Sequence, residues 1–351
     1  MVRNKEFRFP VTVLIGSEIK NLRKISRHRR IDSGFKGKYL ATATVSTILT
    51  AFSRVERLIT AKKFRDTKIT DPPVFIIGFW RSGTTLLHNL LCQNPEFAFV
   101  STYQTVFPNL TISNQWWLKH VASPFLPEYR PADKVKFEWA NPQEEEMALG
   151  NMQDISFYNF MYFPKDFNEF VKNGLMIDKL SEEELKKWEE NYCRIIKTAI
   201  INTGGSRFIS KNPPNAFRIK QLLEMFPDAR FINITRDSDE VIFSFNRFMM
   251  EVINGTALQD FGPDVLDKRT RELYSLYTEN YNADKHLIPK NHLVEIDYHE
   301  FVKHKIEGIK HIYDTLELDG FDASLPMMEQ YLDDTKDFQP WDHRESTVKK
   351  H

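Results

Sequence analysis

Four short, mostly apolar runs, each closed by a glycine or a charged residue and followed by a helix-period segment, set the rhythm of this chain. Residues 74–77 are uninterrupted apolar and stop at Gly78; the segment from Thr84 to Cys92 then spaces its leucines as a helix does. Residues 207–210 read as a strand ending at Lys211, with the helical pattern AFRIKQLLEMF after it. Residues 229–235 end at Arg236 and precede a helix-like run from Asp239 to Met250. Residues 292–296 lead into HEFVKHKIEGIKHIYDTL, read as one helix. Strands that alternate with helices predict an α/β fold: a central parallel sheet with right-handed crossovers and helices on both faces.

Consecutive prolines in TDPP, residues 70–73, forbid helix continuation and divide a basic helical arm, 1–70, from the main domain, 71–325. Inside that domain, residues 100–205 form an insertion far beyond ordinary connection lengths, rich in aromatic residues and helical signals, expected as a cap or pocket wall. Residues 326–351 show little periodicity and are expected to be a tail. In the arm, residues 39–59 read as an amphipathic helix with Tyr39, Val45, Ile48, Leu49, Phe52, Val55 and Ile59 on its apolar side. That side is expected to pack on the main domain, with peripheral contact to a membrane as the alternative.

Charge sharpens this picture in one place. The first 70 residues carry 17 basic against 5 acidic side chains, enough to meet an anionic surface. Over the 351 residues Lys plus Arg and Asp plus Glu number 48 each, so no global field points to nucleic acid. The two cysteines, Cys92 and Cys193, are too few and too separated for a disulfide framework or a zinc site, which indicates a reducing, cytoplasmic setting. The apolar run 11–15 is too short for a secretory signal, and no stretch is long and apolar enough to span a bilayer.

The loop after the first strand carries the most specific chemistry. Gly78 and Gly83 match the glycines of the phosphate loop G-x-x-x-x-G-K-S/T, but Thr84 stands where the lysine belongs. The fold class is thus P-loop-like, with a difference. Backbone N–H groups and a helix N-terminus can hold a phosphate without that lysine. What is lost is the cation for the β and γ phosphates of a nucleoside triphosphate. A later strand also ends in Thr235 and Arg236, not in an aspartate able to hold magnesium, which argues against a P-loop kinase or NTPase. Arg81 and the hydroxyls of Thr84 and Thr85 suit a single anionic group that brings no metal. Ligands of open parallel sheets lie beyond the strand carboxyl ends, so this loop, Lys211 and Arg236 are expected on one edge.

PVFIIGFWRSGTTLLHNLL resembles the 5′-phosphosulfate loop of the sulfotransferases that use 3′-phosphoadenosine 5′-phosphosulfate (PAPS), with R-S-G-T-T after a strand. RDSDEVIFS resembles the same superfamily's 3′-phosphate motif, here Arg236 and Ser244, and SKNPPNAFRIKQLLEMFPDARFINITRD is similar to its middle segment. The likeness covers residues 70–320 and is nearer to the bacterial and Golgi-type branches. It implies Arg81, Ser82, Gly83, Thr84, Thr85, Arg236 and Ser244 as donor-binding residues, with Lys211 at the sulfonyl group. It also implies in-line transfer of sulfonate from PAPS to the hydroxyl of a small-molecule acceptor, releasing the bisphosphate PAP. The spacing from Arg236 to Ser244 is about two helical turns, which puts the hydroxyl on the same side as the arginine. A guanidinium fork with a hydroxyl suits a terminal phosphate. Lys211 and Arg81 are the candidates to stabilise charge on the bridging oxygen.

The general base is where the chain departs from its relatives. Cytosolic members place a histidine where Pro213 stands, and other branches a glutamate where Gln104 stands. In NPQEEEMALG, Asn141 and Pro142 read as a helix start and Glu144 as a capping-box residue, leaving Glu145 as the expected base ahead of Glu146. His88 is the other contender, although a histidine on an apolar helix is ordinarily a packed one. For the acceptor, WW at 116–117, FEW at 137–139 and ISFYNFMYFPKDFNEF at 155–170 suit a pocket for a sterol, steroid or phenol, or serve as the insertion's own core. A carbohydrate acceptor and a non-catalytic nucleotide-binding protein are the alternatives.

Overall fold

The runs at 74–77, 207–210 and 229–235 become strands buried on both faces, which is why they are nearly continuous and not alternating, whereas the run at 292–296 becomes an edge strand with Glu295 exposed. The computed structural model describes residues 10–125 and 138–336. After α1 (Ile19–Ser26) and α2 (Lys36–Asp66) come β1 (Val74–Ile76) and α3 (Thr84–Leu91). After β2 (Phe97–Ala98), the insertion holds α4 (Thr102–Val106), α5 (Gln115–Ala122), α6 (Glu145–Met152), α7 (Phe167–Phe170) and α8 (Glu182–Thr203). Then follow β3 (Arg207–Lys211), α9 (Ile219–Met225), β4 (Arg230–Thr235), α10 (Ser238–Thr256), α11 (Pro263–Asp284) and β5 (Leu293–Asp297). Helices α12 (Tyr298–Lys303), α13 (Lys305–Thr315) and α14 (Phe321–Asp334) complete the described chain.

The strands pair in the order β2-β3-β1-β4-β5, every pair parallel. Alternate side chains feed two cores. Val74, Ile76, Ile209 and Ile232 pack with Leu87 of α3, Ile312 of α13 and Met328 of α14. Phe75, Phe208 and Phe231 pack on the other side with Trp188 of α8, Phe245 of α10 and Leu273 of α11. This is the expected three-layer α/β fold. From β1 the chain crosses to one side of the sheet and from β3 to the other, so the strand order reverses between these two neighbours, and their carboxyl ends flank the crevice where such sheets bind ligands.

Three local expectations change. The two-residue strand β2 is too short to leave a pattern. The helix expected over 299–316 breaks at His304, whose φ of −129° and ψ of 60° separate α12 from α13. The expected tail begins inside α14, which runs through Pro326 because Ser324 and Met328 are buried against the domain; residues 337–351 lie outside the described ones. The aromatic run of 155–170 is mostly core. Phe157, Phe160 and Phe163 are wholly buried, and Phe160 meets Phe167 with ring centroids 5.0 Å apart. Trp139 packs near Tyr103, while Phe137 falls outside the described residues.

The arm helix α2 is a correction of sign. Its expected apolar side does not face the domain: Ile48, Phe52, Val55 and Ile59 are exposed, and of that set only Leu49 is buried. The buried side consists of Thr42, Ser46, Thr50, Ser53, Glu56 and Thr60. The reason is hydrogen bonding. Thr42 Oγ1 accepts from the Thr12 N–H at 3.0 Å, and Thr50 Oγ1 from the Ile19 N–H at 2.9 Å. The Glu56 carboxylate accepts from the Ile112 N–H at 2.7 Å, the Ser113 hydroxyl at 2.6 Å and Asn114 Nδ2 at 2.6 Å. Irregular backbone at 12–19 and 111–114 needs buried partners, and hydroxyl and carboxylate side chains supply them.

Candidate active site

The loop after β1 is shaped by two glycines and one strained arginine. A Cβ on Gly78 would stand 2.5 Å from the Ile234 carbonyl oxygen, so only glycine lets the loop pass β4. Gly83, the N-cap of α3, has φ 97°, and a Cβ there would run into the Tyr298 ring. Arg81 itself has φ 68°, a conformation that costs a non-glycine residue about 1–2 kcal/mol. Two distant segments hold it. Arg81 Nε donates to Ser244 Oγ at 3.2 Å, its guanidinium lies 4.9 Å from the Phe248 ring centroid, and its carbonyl accepts from an Arg236 amine at 3.4 Å.

Arg236 follows β4 directly. Its Nε donates to Glu240 at 2.6 Å and its guanidinium sits 4.4 Å over the Tyr298 ring. Asp237 caps α10 by accepting from the Asp239 and Glu240 N–H groups at 3.0 and 3.1 Å, which aims the helix so that Ser244 returns to the loop. The two motifs, more than 150 residues apart, thus touch. Ser82 turns inward, its hydroxyl donating to the Phe79 carbonyl at 2.7 Å, and so closes the loop. Thr84 and Thr85 open α3, where the first N–H groups of a helix lack intrahelical partners.

The other half of the site comes from three adjacent glutamates. Glu144 has extended backbone just before α6, whereas Glu145 and Glu146 are its first two helical residues and point about 100° apart, so these carboxylates do not share one environment. Glu146 is fully buried against the equally buried Arg218, with contacts of 2.7 and 3.0 Å, and also accepts from the Phe157 N–H at 2.9 Å. Glu145, the base expected from the sequence, is 1% exposed; it accepts from Tyr192 at 2.6 Å, Asn215 at 3.1 Å and the Ser210 hydroxyl. Burial pushes its pKa up, opposed in part by the Ser210 and Tyr192 hydrogen bonds. Glu144 is the carboxylate that keeps contact with solvent, with a side chain 22% exposed. It is the N-cap of α6 but makes no side-chain capping bond, and the helix starts at Glu145, not at Asn141 and Pro142. One Glu144 oxygen instead accepts from Lys211 Nζ at the end of β3, the other from the Tyr158 hydroxyl. Trp80 Nε1, in the loop, donates to that hydroxyl at 2.7 Å. Burial and the neighbouring Glu144 charge push the Tyr158 pKa far up, so it stays a neutral donor.

His88 does not reach this arrangement as a base. Neither ring nitrogen has a hydrogen-bond partner. Burial, then the Lys211 cation, drives its pKa down to about 3, against a small opposing influence of the Ile209 backbone that falls short of hydrogen-bond geometry. Gln104 is likewise taken, donating to the Ile195 carbonyl at 3.2 Å. Sequence reasoning missed Tyr158 and Trp80, which carry no motif, and gave Glu144 a capping role. The signal available was the run of three carboxylates at a helix start, where the residue just outside the helix and the first two inside it point in different directions.

Comparison with known proteins agrees with this layout. The Sulfotransferase family profile matches residues 72–323. Two relatives, the omega-hydroxy-beta-dihydromenaquinone-9 sulfotransferases Stf3 of Mycobacterium bovis and Mycobacterium tuberculosis, are each 28% identical over 284 residues, covering 81% of this chain and 72% of theirs. Among solved structures, sulfotransferase STF1 of M. tuberculosis superposes with a TM-score of 0.66 at 16% identity, over 90% of this chain and 88% of its own. STF9 of Mycobacterium avium gives 0.66 at 15%, over 93% and 89%. These two carry the fold. A family match over more than two thirds of the chain, on a strand-loop-helix that presents R-S-G-T-T at a parallel sheet's carboxyl edge, makes this chain a member of the sulfotransferase family.

Proposed function

We propose that this sulfotransferase transfers the sulfonate of PAPS to the hydroxyl of a hydrophobic, lipid-type alcohol, with Glu144 as general base. The observation that carries the reading is the contact of Arg81 with both Ser244 and Arg236, next to the Lys211–Glu144 pair. The donor set fits a nucleotide charged at both ends. The start of α3 with Thr84 and Thr85 takes the phosphosulfate, and Arg236 with Ser244 takes the 3′-phosphate. The acceptor oxygen forms its bond to sulfur as the bond from sulfur to the phosphate oxygen breaks, and that electron pair leaves on PAP. Lys211 and Arg81 offset the charge that develops there. The acceptor proton goes to Glu144, whose oxygens keep lone pairs beyond those used by Lys211 and Tyr158. Tyr158, held by Trp80, positions the carboxylate.

The relatives named for a hydroxylated dihydromenaquinone support a long, apolar acceptor over the sterol, steroid or phenol that the aromatic insertion first suggests. Transfer of labelled sulfonate from PAPS to a panel of hydroxylated isoprenoid lipids, sterols, phenols and sugars tests this. Labelling is expected on the lipid alcohols with the highest kcat/KM. Labelling confined to sugars would overturn the acceptor class, and none on any alcohol would overturn the activity.

A further inference from the structure

The inverted arm helix leaves an apolar surface that the fold itself does not use. Nine of the thirteen exposed large apolar residues among those described lie on α2 and on the α5 segment ending at Phe125. On α2, Ile48, Phe52, Val55, Leu58 and Ile59 fall, with Leu40, within an arc of about 120° at 100° per residue. The neighbouring segment adds Trp116, Val121 and Phe125, which are 75%, 59% and 68% exposed. Phe52 and Trp117, ring centroids 5.3 Å apart, join the two helices into one face. The face arises because α2 turns Thr42, Ser46, Thr50 and Ser53 inward and its hydrocarbon outward, and contiguous exposed apolar patches mark interaction surfaces.

The charge around the face identifies its partner. Lys36, Arg54 and Arg65 flank one margin of the arc and Lys63 the other, with Lys62 at its C-terminal end, all exposed. Of the two acidic residues on α2, Glu56 is buried in its hydrogen bonds and Asp66 alone is exposed. A second copy of the chain docked through the same face would set cations against cations in a self-complementary contact. An anionic bilayer surface matches both the hydrocarbon and the sign. Among the described residues no helix is long and apolar enough to cross a membrane, and the 31 residues of α2, about 46 Å long, lie flat on one side of the domain. Beneath the face, a buried cluster links it to the segment that carries Glu144: Tyr103 of α4 packs with Leu49 and Leu118, and the Thr102 N–H donates to the Asn141 carbonyl and the Gln143 N–H to the Val100 carbonyl.

We infer that the α2–α5 face is an interfacial docking surface for anionic lipid bilayers. This goes beyond the acceptor assignment and is read without turnover. The test is cosedimentation of the full chain with phosphatidylcholine vesicles, with and without phosphatidylglycerol, beside PAP titration of the same samples. Binding to the anionic vesicles is expected. It should fall by about tenfold or more in Leu58→Glu with Ile59→Glu, and by about fivefold per charge in Lys62→Gln and Lys63→Gln. PAP affinity should be unchanged in each, since none of these residues lies at the donor loop. No binding to anionic vesicles, or equal binding by the Leu58 and Ile59 variant, would overturn the inference. A dimer in sedimentation that this variant dissociates, without vesicle binding, would overturn it in favour of an interface between copies.

Discussion

The donor side and the acceptor side of this site are built by opposite means. On the donor side, local backbone sets the frame: Gly78 and Gly83 permit the loop and the start of α3 supplies the N–H groups, while only Arg81 is locked by partners distant in sequence. On the acceptor side, burial decides: Glu144, Glu145 and Glu146 are chemically identical, and only tertiary packing leaves Glu144, the proposed base, in contact with solvent while it buries the other two. A motif therefore specifies the first, whereas the second depends on which donors the rest of the fold brings to each carboxylate.

Substitution of the adjacent glutamates is the most severe way to break this comparison. Glu144→Gln is expected to lower kcat by about a thousandfold with PAP affinity within about twofold of wild type, in single-turnover and titration measurements. Glu145→Gln, one residue away, should keep kcat within about threefold and instead lose about 1–3 kcal/mol in urea unfolding, because it sets an amide donor among hydroxyl and amide donors. The reverse pattern would return the base to Glu145.

The donor side is sharpened by changes of opposite sign at one arginine. Arg236→Ala should weaken PAP by about ten- to a hundredfold, the loss of charge-assisted hydrogen bonds. Glu240→Gln should tighten it by a few-fold, roughly, since Glu240 already holds Arg236 at 2.6 Å and competes with a phosphate for it. Calorimetric titration reads both, and equal affinities in all three proteins would detach Arg236 from the donor.

The smallest effect is expected at His88, which is buried on α3 with neither ring nitrogen hydrogen-bonded. His88→Leu should leave kcat within about twofold. The folded pKa of about 3 lies below the ordinary 6.5, so the unfolded chain binds the extra proton first and this group takes stability away as pH falls from 6.5 towards 3. The variant's stability should therefore decline less steeply across that window, by up to about 1.4 kcal/mol per pH unit, in urea titrations at several pH values. Parallel curves would show that His88 protonates in the folded protein.

The sheet and the donor loop were legible because their determinants are close in sequence: an apolar run, a glycine, a helix with threonines at its start. The meeting of Arg236 and Ser244 with the loop was legible through helical spacing. The contacts of Glu144 were not, since a capping residue and a proposed base look alike until Lys211 and Tyr158 arrive from 67 and 14 residues away. The face of α2 was misread for a related reason. Periodicity reports which residues share a side but not which side the fold needs, and the unsatisfied backbone at 12–19 and 111–114 drew the hydroxyls inward.

Tyr298, at the first turn after β5, lies against Gly83 and beneath the Arg236 guanidinium at once. One ring is thus a common floor for both ends of the proposed donor site. Neither end can slide along the sheet edge without dragging the other, so the span that a doubly charged ligand would have to match is set by an aromatic side chain that need not touch it.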